Sequence, residues 1–268
     1  MDFRFDATTE SLRERLAAFV RERVHPAEPV FEEQAAAAAG TFTRPPVLAE
    51  LQAEARRQGL WNLFLPDPEL GAGLSNVQYA PLAELTGHSP LIAPEALNCN
   101  APDSGNMELL AAFADDRQRK TWLEPLLDGR IRSAFCMTEP DVASSDATNV
   151  AAGIERHGDE YVITGRKWWA SGAMNPGCAL FVVLGVTDPQ AAPHRRHSMV
   201  LVPRSTPGVR VVRNLSLFGY VEEPHGGRAE ISFEARGSPP ITSSARRAPV
   251  SRWRRRGWGP GASTTACG

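Results

Sequence analysis

Near residue 130 the spacing of apolar side chains changes period, and that change divides the chain into two kinds of structure. Before it, apolar residues recur at helical intervals. From Thr9 to Val24, the side chains of Leu12, Leu16, Phe19, Val20 and Val24 share one helical face, with Ser11 and Glu14 spaced as a capping box and Pro26 expected to close the segment. From Pro46 to Gln58, Val47, Leu48, Leu51 and Ala55 repeat in the same way, and further helix is expected through Phe113 and from Asp116 to Leu127. Beyond residue 130 the pattern shortens to β-rich runs bounded by turn residues: Tyr161 to Thr164 after a His157-Gly158-Asp159 turn, Ala179 to Val186, Ser198 to Pro203, Val209 to Val212, and Ala229 to Phe233. A helical domain over 1–130 and a β-domain over 131–234 are therefore expected, followed by a third zone over 235–268.

At 268 residues and 42% hydrophobic content, the chain is large enough to bury a core in each of two domains. The longest apolar stretch, Ala179 to Val186, is too short to span a bilayer, and the opening MDFRFDATTE has no basic-then-apolar leader, so a cytoplasmic location is expected. Cys99, Cys136, Cys178 and Cys267 lie far apart, with no CxxC pair and no neighbouring histidine cluster. Neither a zinc site nor a disulfide framework is supported.

Two runs carry chemistry. The first, AFCMTEPDVASSDATN from Ala134 to Asn149, is an apolar strand end opening into a loop of small hydroxyl and acidic residues, whose amides and hydroxyls can face a polar ligand. The second, GRKWWASGAMNP from Gly165 to Pro176, presents Trp168 and Trp169 followed by Ala170 and Ser171. One aromatic can stack on a flat ring while the hydroxyl and nearby amides bond its edge. Either run alone fits a strand-turn-strand corner with a buried tryptophan. In sequence and together, they point to a flavin site.

These residues resemble the acyl-CoA dehydrogenase family, whose middle domain carries an [FY]-[CA]-[MV]-T-E-P loop and, one hairpin later, a G-x-K-x-[WF]-[IA]-[TS] strand. With lower specificity, Gly59 to Ser89 resembles the family's N-terminal helical domain, and Asn98 to Leu110 resembles a subgroup of its larger, longer-chain members. The implied fold class is α+β multidomain: an N-terminal all-α helical domain, then a β-barrel or β-sandwich middle domain, with the family's C-terminal four-helix bundle missing. The implied cofactor is FAD. The resemblance places Phe135, Cys136, Met137 and Thr138 along the flavin ring and pyrophosphate, Trp169 and Ala170 at its flank, and the Ser171 hydroxyl on its reactive nitrogen. Asp141 stands where many members have glycine, and one extra residue precedes Asp146, so Ser144 and Ser145 compete for one role. Ser144 is assigned to the cofactor and Ser145 to the CoA portion of the substrate. Glu139, next to Pro140, is expected to be structural.

The implied reaction removes the α-proton of a fatty acyl-CoA thioester with a carboxylate base while hydride passes from the β-carbon to the flavin. In the family that glutamate comes from the C-terminal bundle, so no catalytic residue is expected here and this chain alone is expected to be inactive. Implied partners are the acyl-CoA substrate, electron-transfer flavoprotein or a similar acceptor, and further copies of the full-length chain. No nucleic-acid partner and no transmembrane segment belong to this reading.

The third zone has a different composition. After Glu234 there is no Asp, Glu or Lys but seven Arg, so 22 basic and all 31 acidic residues lie up to Glu234, a net charge of about −9 against about +7 for the tail. A one-base shift accounts for it. Written in GC-rich codons, Ala235 to Pro240 becomes DARVPA when one A is restored after the first G, and the shifted frame continues as DHLLGEARAGFEMAQARLGPGRIHHCMR, which matches the family's strand-to-helix transition. A single-base deletion after Glu234, real or a sequencing error, is therefore expected; codons incompatible with the shifted frame would sink it. Three alternatives stay open: a non-catalytic partner subunit that keeps the flavin or CoA surface, a nucleic-acid-binding protein using the basic tail, and a flavoenzyme of related fold that oxidises another substrate with the same flavin motifs.

Overall fold

The computed structural model describes residues 4–158 and 160–234. Asp159 and the arginine-rich zone, with the frame change inferred for it, lie outside the described residues. The chain forms two compact units, one from the residues up to Ser104 together with Glu223–His225, the other from Gly105 onward without those three residues.

The first unit is helical: α1 (Ala7–Phe19), α2 (His25–Ala37), α3 (Val47–Arg57), α4 (Asn76–Thr86) and the single turn α5 (Ala93–Ala96). The start of α1 corrects the expected capping box at Ser11 and Glu14. Asp6 is the cap, accepting from the Thr9 amide at 2.9 Å and from its hydroxyl at 2.8 Å. These bonds hold its carboxyl down at about 2. Nor does Pro26 close the helix. A π-turn over Val20–Val24 runs straight into α2, with the His25 amide reaching back to the Val20 carbonyl. The widened turn drops the i→i−4 bond that proline could not have made, so the chain continues. α3 matches the expected Pro46 to Gln58 within one residue at each end. Its buried face, Val47, Leu48, Leu51 and Ala55, joins Leu16, Phe19, Val24, Leu60 and Leu82 in one core. Each large side chain buried this way contributes roughly 1.5–3 kcal/mol before ordering costs.

The second unit begins within α6 (Asp103–Phe113), followed by α7 (Asp116–Gln118), a π-turn over Arg119–Leu123, and α8 (Glu124–Leu127). Gly129, at φ 64°, makes the turn into the sheet. The strands are β1 (Arg132–Cys136), β2 (Gly153–His157), β3 (Glu160–Ser171), β4 (Cys178–Val186), β5 (His197–Pro203), β6 (Val209–Asn214) and β7 (Arg228–Glu234). They form one mixed seven-stranded sheet ordered β1-β4-β2-β3-β7-β6, with β5 also paired to β4. β1 runs parallel to β4; β3 is antiparallel to both β2 and β7. Ile154, Ile163, Phe181, Val183, Val200, Ile231 and Phe233 fill the core beneath, with Phe181 and Phe233 edge to face at 6.4 Å.

Every β-run expected from the sequence lies within a strand. β2 is the addition. Among its residues Ile154 alone is buried, and Glu155, Arg156 and His157 face solvent, so backbone pairing with β3 across the Gly158 turn (φ 64°) holds it rather than an apolar pattern. Among the described residues no helix is long and apolar enough to cross a membrane.

Candidate functional site

β1 delivers the first run and β3 the second. Along β1, Ala134 and Cys136 point into the core while Phe135 is half-buried on the other face. The alternation decides what each can offer. Burial pushes the Cys136 thiol well up, so it stays neutral, and its side chain packs away from any ligand on the Phe135 face. Ala170 is likewise fully buried in that core. A ligand would meet these two residues through their backbone alone.

β3 departs from regular pairing where the motif needs it. Lys167 opposes Ile231 and Ala170 opposes Ala229, so Trp168 and Trp169 together face the single residue Glu230 of β7. This is a β-bulge. Trp169 sits at φ 54°, a left-handed conformation that costs a large side chain about 1–2 kcal/mol. The two indole rings, both half-buried, lie 6.0 Å apart and tilted by 56°. Glu230, buried, is held by Arg213 at 2.7 Å and by Arg166. Just past the bulge, the half-buried Ser171 hydroxyl has no hydrogen-bond partner among the described residues. Arg204 fixes the turn that follows, donating to the carbonyls of Ala173 at 2.7 Å and Asn175 at 2.9 Å.

The loop after β1 is stitched to this bulge. Thr138 accepts from the Trp168 amide through its carbonyl and donates its hydroxyl to the Trp168 carbonyl, both at 2.9 Å. Lys167, with no exposed surface, donates to the Met137 carbonyl at 2.8 Å and to the Glu139 carboxylate at 2.6 Å. Burial lowers the Lys167 pKa, and the Glu139 carboxylate opposes that shift. Glu139 also accepts the amides of Ala151 and Ala152, each at 2.9 Å. Its oxygens are engaged inside the protein, the structural role expected of it. The serine pair also separates. Ser144 is buried, accepts the Glu139 amide at 2.6 Å and donates to the Glu139 carbonyl at 3.3 Å, while Ser145 is exposed. Of the two hydroxyls, Ser145 faces outward and Ser144 shapes the loop.

The structure thus brings Met137, Thr138, Trp168, Trp169 and Ser171 along one stretch of sheet and loop. Sequence reading did not single out Lys167, Glu230 or Arg204. Lys167 lay within the second motif, where its position between Arg166 and Trp168 was the available signal; nothing in the sequence marked the other two.

Residues 6–130 match the N-terminal domain of acyl-CoA dehydrogenases, and residues 134–235 match their middle domain. The chain belongs to the acyl-CoA dehydrogenase family. Similar members include the Mycobacterium tuberculosis protein designated acyl-CoA dehydrogenase FadE2, 53% identical over 87% of this chain and 56% of that protein. Acyl-CoA dehydrogenase family member 11 of Gallus gallus is 50% identical over 82% of this chain and 28% of its own length. A structure from Mycobacterium abscessus assigned as an acyl-CoA dehydrogenase superposes with a TM-score of 0.87 at 49% identity, covering 96% of this chain and 64% of the other. The chain spans little more than half the length of FadE2 and about a quarter of the length of the vertebrate dehydrogenase.

Proposed function

We propose that this chain supplies the flavin- and acyl-CoA-facing domains of a FAD-dependent enzyme that dehydrogenates a fatty acyl-CoA thioester between its α and β carbons. The observation that carries this reading is the β3 bulge, which sets Trp169 at positive φ and leaves the Ser171 hydroxyl open beside it. Strained backbone beside an unused polar group is what a ligand site provides. The residues fit the cofactor. The main chain of Phe135 to Thr138 and of Ala170 would run along it, Trp169 would flank the ring, Ser171 would bond the reactive nitrogen, and Ser145 would meet the CoA portion of the substrate. Bound FAD supplies the acceptor for a two-electron oxidation.

This chain's part is to bind and orient. Glu139 is committed to Lys167 and two amides and is therefore not the carboxylate that removes the α-proton; that base we assign to the region encoded in the shifted frame. The same proposal takes 1–130 and 131–234 as its domains, electron-transfer flavoprotein or a similar carrier as acceptor, a homo-oligomer for the full-length protein, and the cytoplasm as its location.

The test has two parts. Resequencing across the codons for Phe233 to Ser238 should find the additional base, and the protein expressed from the restored frame should reduce a ferrocenium acceptor when given acyl-CoA. In that protein Ser171→Ala should weaken FAD binding about tenfold, the value of one good hydrogen bond, while leaving the melting temperature of the FAD-free protein unchanged. Restored protein that binds no FAD would overturn the reading.

A further inference from the structure

We propose that the Lys167–Glu139 ion pair positions the flavin-facing loop against the β3 bulge, an inference that rests on the function proposed above. Lys167 is the last residue of β3 paired with β7 before the bulge, which begins at the next residue; pairing resumes at Ala170. Its ammonium does not reach across the sheet core to an unrelated strand. It bonds the Met137 carbonyl and the Glu139 carboxylate, both on the loop that follows β1. Glu139 passes the tie onward to the amides of Ala151 and Ala152, where the loop re-enters the sheet at β2. Between these two anchors Thr138 bonds both backbone groups of Trp168. Three consecutive loop residues are therefore held to two consecutive residues of β3, and the loop is pinned at its start and its end.

An ion pair this deeply buried is a poor choice for stability alone, because desolvation of both charges cancels most of their attraction. An apolar pair of the same volume would fill the space as well. It would not fix the Met137 carbonyl, and it would leave the buried Ala152 amide and its exposed neighbour Ala151 without their acceptor. Charge-assisted bonds of 2.6–2.9 Å set direction as well as distance. The direction they set aligns the Met137–Thr138 backbone with Trp169 and Ser171. Lys167 and Glu139 touch no ligand in this scheme; they are positioning residues, and their effect reaches the cofactor through the loop.

The decisive variant is Lys167→Met/Glu139→Gln, which removes both charges while keeping volume and one acceptor for the amides. It is measured by FAD fluorescence titration and by amide hydrogen exchange on the unliganded chain. The expected result is a melting temperature near that of the parent, FAD binding weaker by about tenfold or more, and exchange protection lost at residues 138–145, 151–152 and 168–171 while β4, β5 and β7 keep theirs. Parent-like FAD affinity with parent-like protection would overturn the proposal. So would protection lost through the whole sheet, since that marks a general staple. If the double variant does not fold, Glu139→Gln alone is read by the same two measurements. A parent chain that binds no FAD would defeat the functional reading and not this one, because the exchange pattern still decides whether the pair holds the loop.

Discussion

Two carboxylates are buried to nearly the same depth, Glu95 at 2% exposure in the helical unit and Glu139 at 5% in the β-unit, yet they are compensated in opposite ways. Glu95 draws Arg44 at 3.1 Å, Asn100 at 2.5 Å and His225 at 3.7 Å, partners far apart in the sequence, and about a quarter of the Arg44 side chain still reaches water. Glu139 is neutralised by a lysine with no exposed surface and by two amides of the loop it belongs to. The first fastens distant crossings of the chain. The second fixes one loop beside an unused hydroxyl. Depth of burial therefore does not mark a functional site by itself; what the buried group holds in place does.

The largest effect is expected from breaking the second arrangement on one side only. Lys167→Met leaves the Glu139 charge buried with no cation near it, and chemical denaturation should show a loss of about 3–5 kcal/mol. A loss below ~1 kcal/mol would mean that water reaches Glu139 and that the contrast with Glu95 is false. Glu95→Gln should cost less, about 1–3 kcal/mol, because Arg44 can turn its guanidinium outward while Asn100 keeps an acceptor. If it costs as much as Lys167→Met, the two sites are equivalent.

The smallest effect is in pH. His197, buried on β5 beside the Val150 carbonyl, has its pKa lowered below 6.5, chiefly by burial. As pH falls through 6.5 the unfolded chain takes up a proton that folded His197 refuses. Its contribution to stability is therefore complete above 6.5 and declines below it. Thermal melts followed by β-sheet circular dichroism should fall over that range, and His197→Gln should flatten the slope. An unchanged slope would place the acid sensitivity elsewhere.

Much of this was legible in the chain itself. α3 and the five β-runs followed from apolar spacing, most plainly where the buried face is continuous, as at Val47, Leu48, Leu51 and Ala55. Pro26 misled, since a proline signals a missing N–H and a π-turn can drop the same bond without ending the helix. β2 escaped because Glu155, Arg156 and His157 write a solvent pattern over a strand held by its neighbour's backbone. In the site, the motif named Trp169 and Ser171, but the bulge that re-aims them is a register relation between β3 and β7. It is written in neither strand alone. Ser144 and Ser145 could not be told apart by residue type. A hydrogen bond to the Glu139 backbone distinguishes them.

That register relation also sets an order of events during synthesis. β3 leaves the ribosome with its tryptophans long before β7 exists, and until Arg228–Glu234 emerges there is no strand for Trp168 and Trp169 to be out of step with. β1 must meanwhile wait for β4, because parallel strands need a crossover and here the crossover contains β2, β3 and the loop that follows β1. The site takes shape at the close of translation of this sheet. A nascent chain halted before Arg228 would carry both motifs and neither of their final geometries.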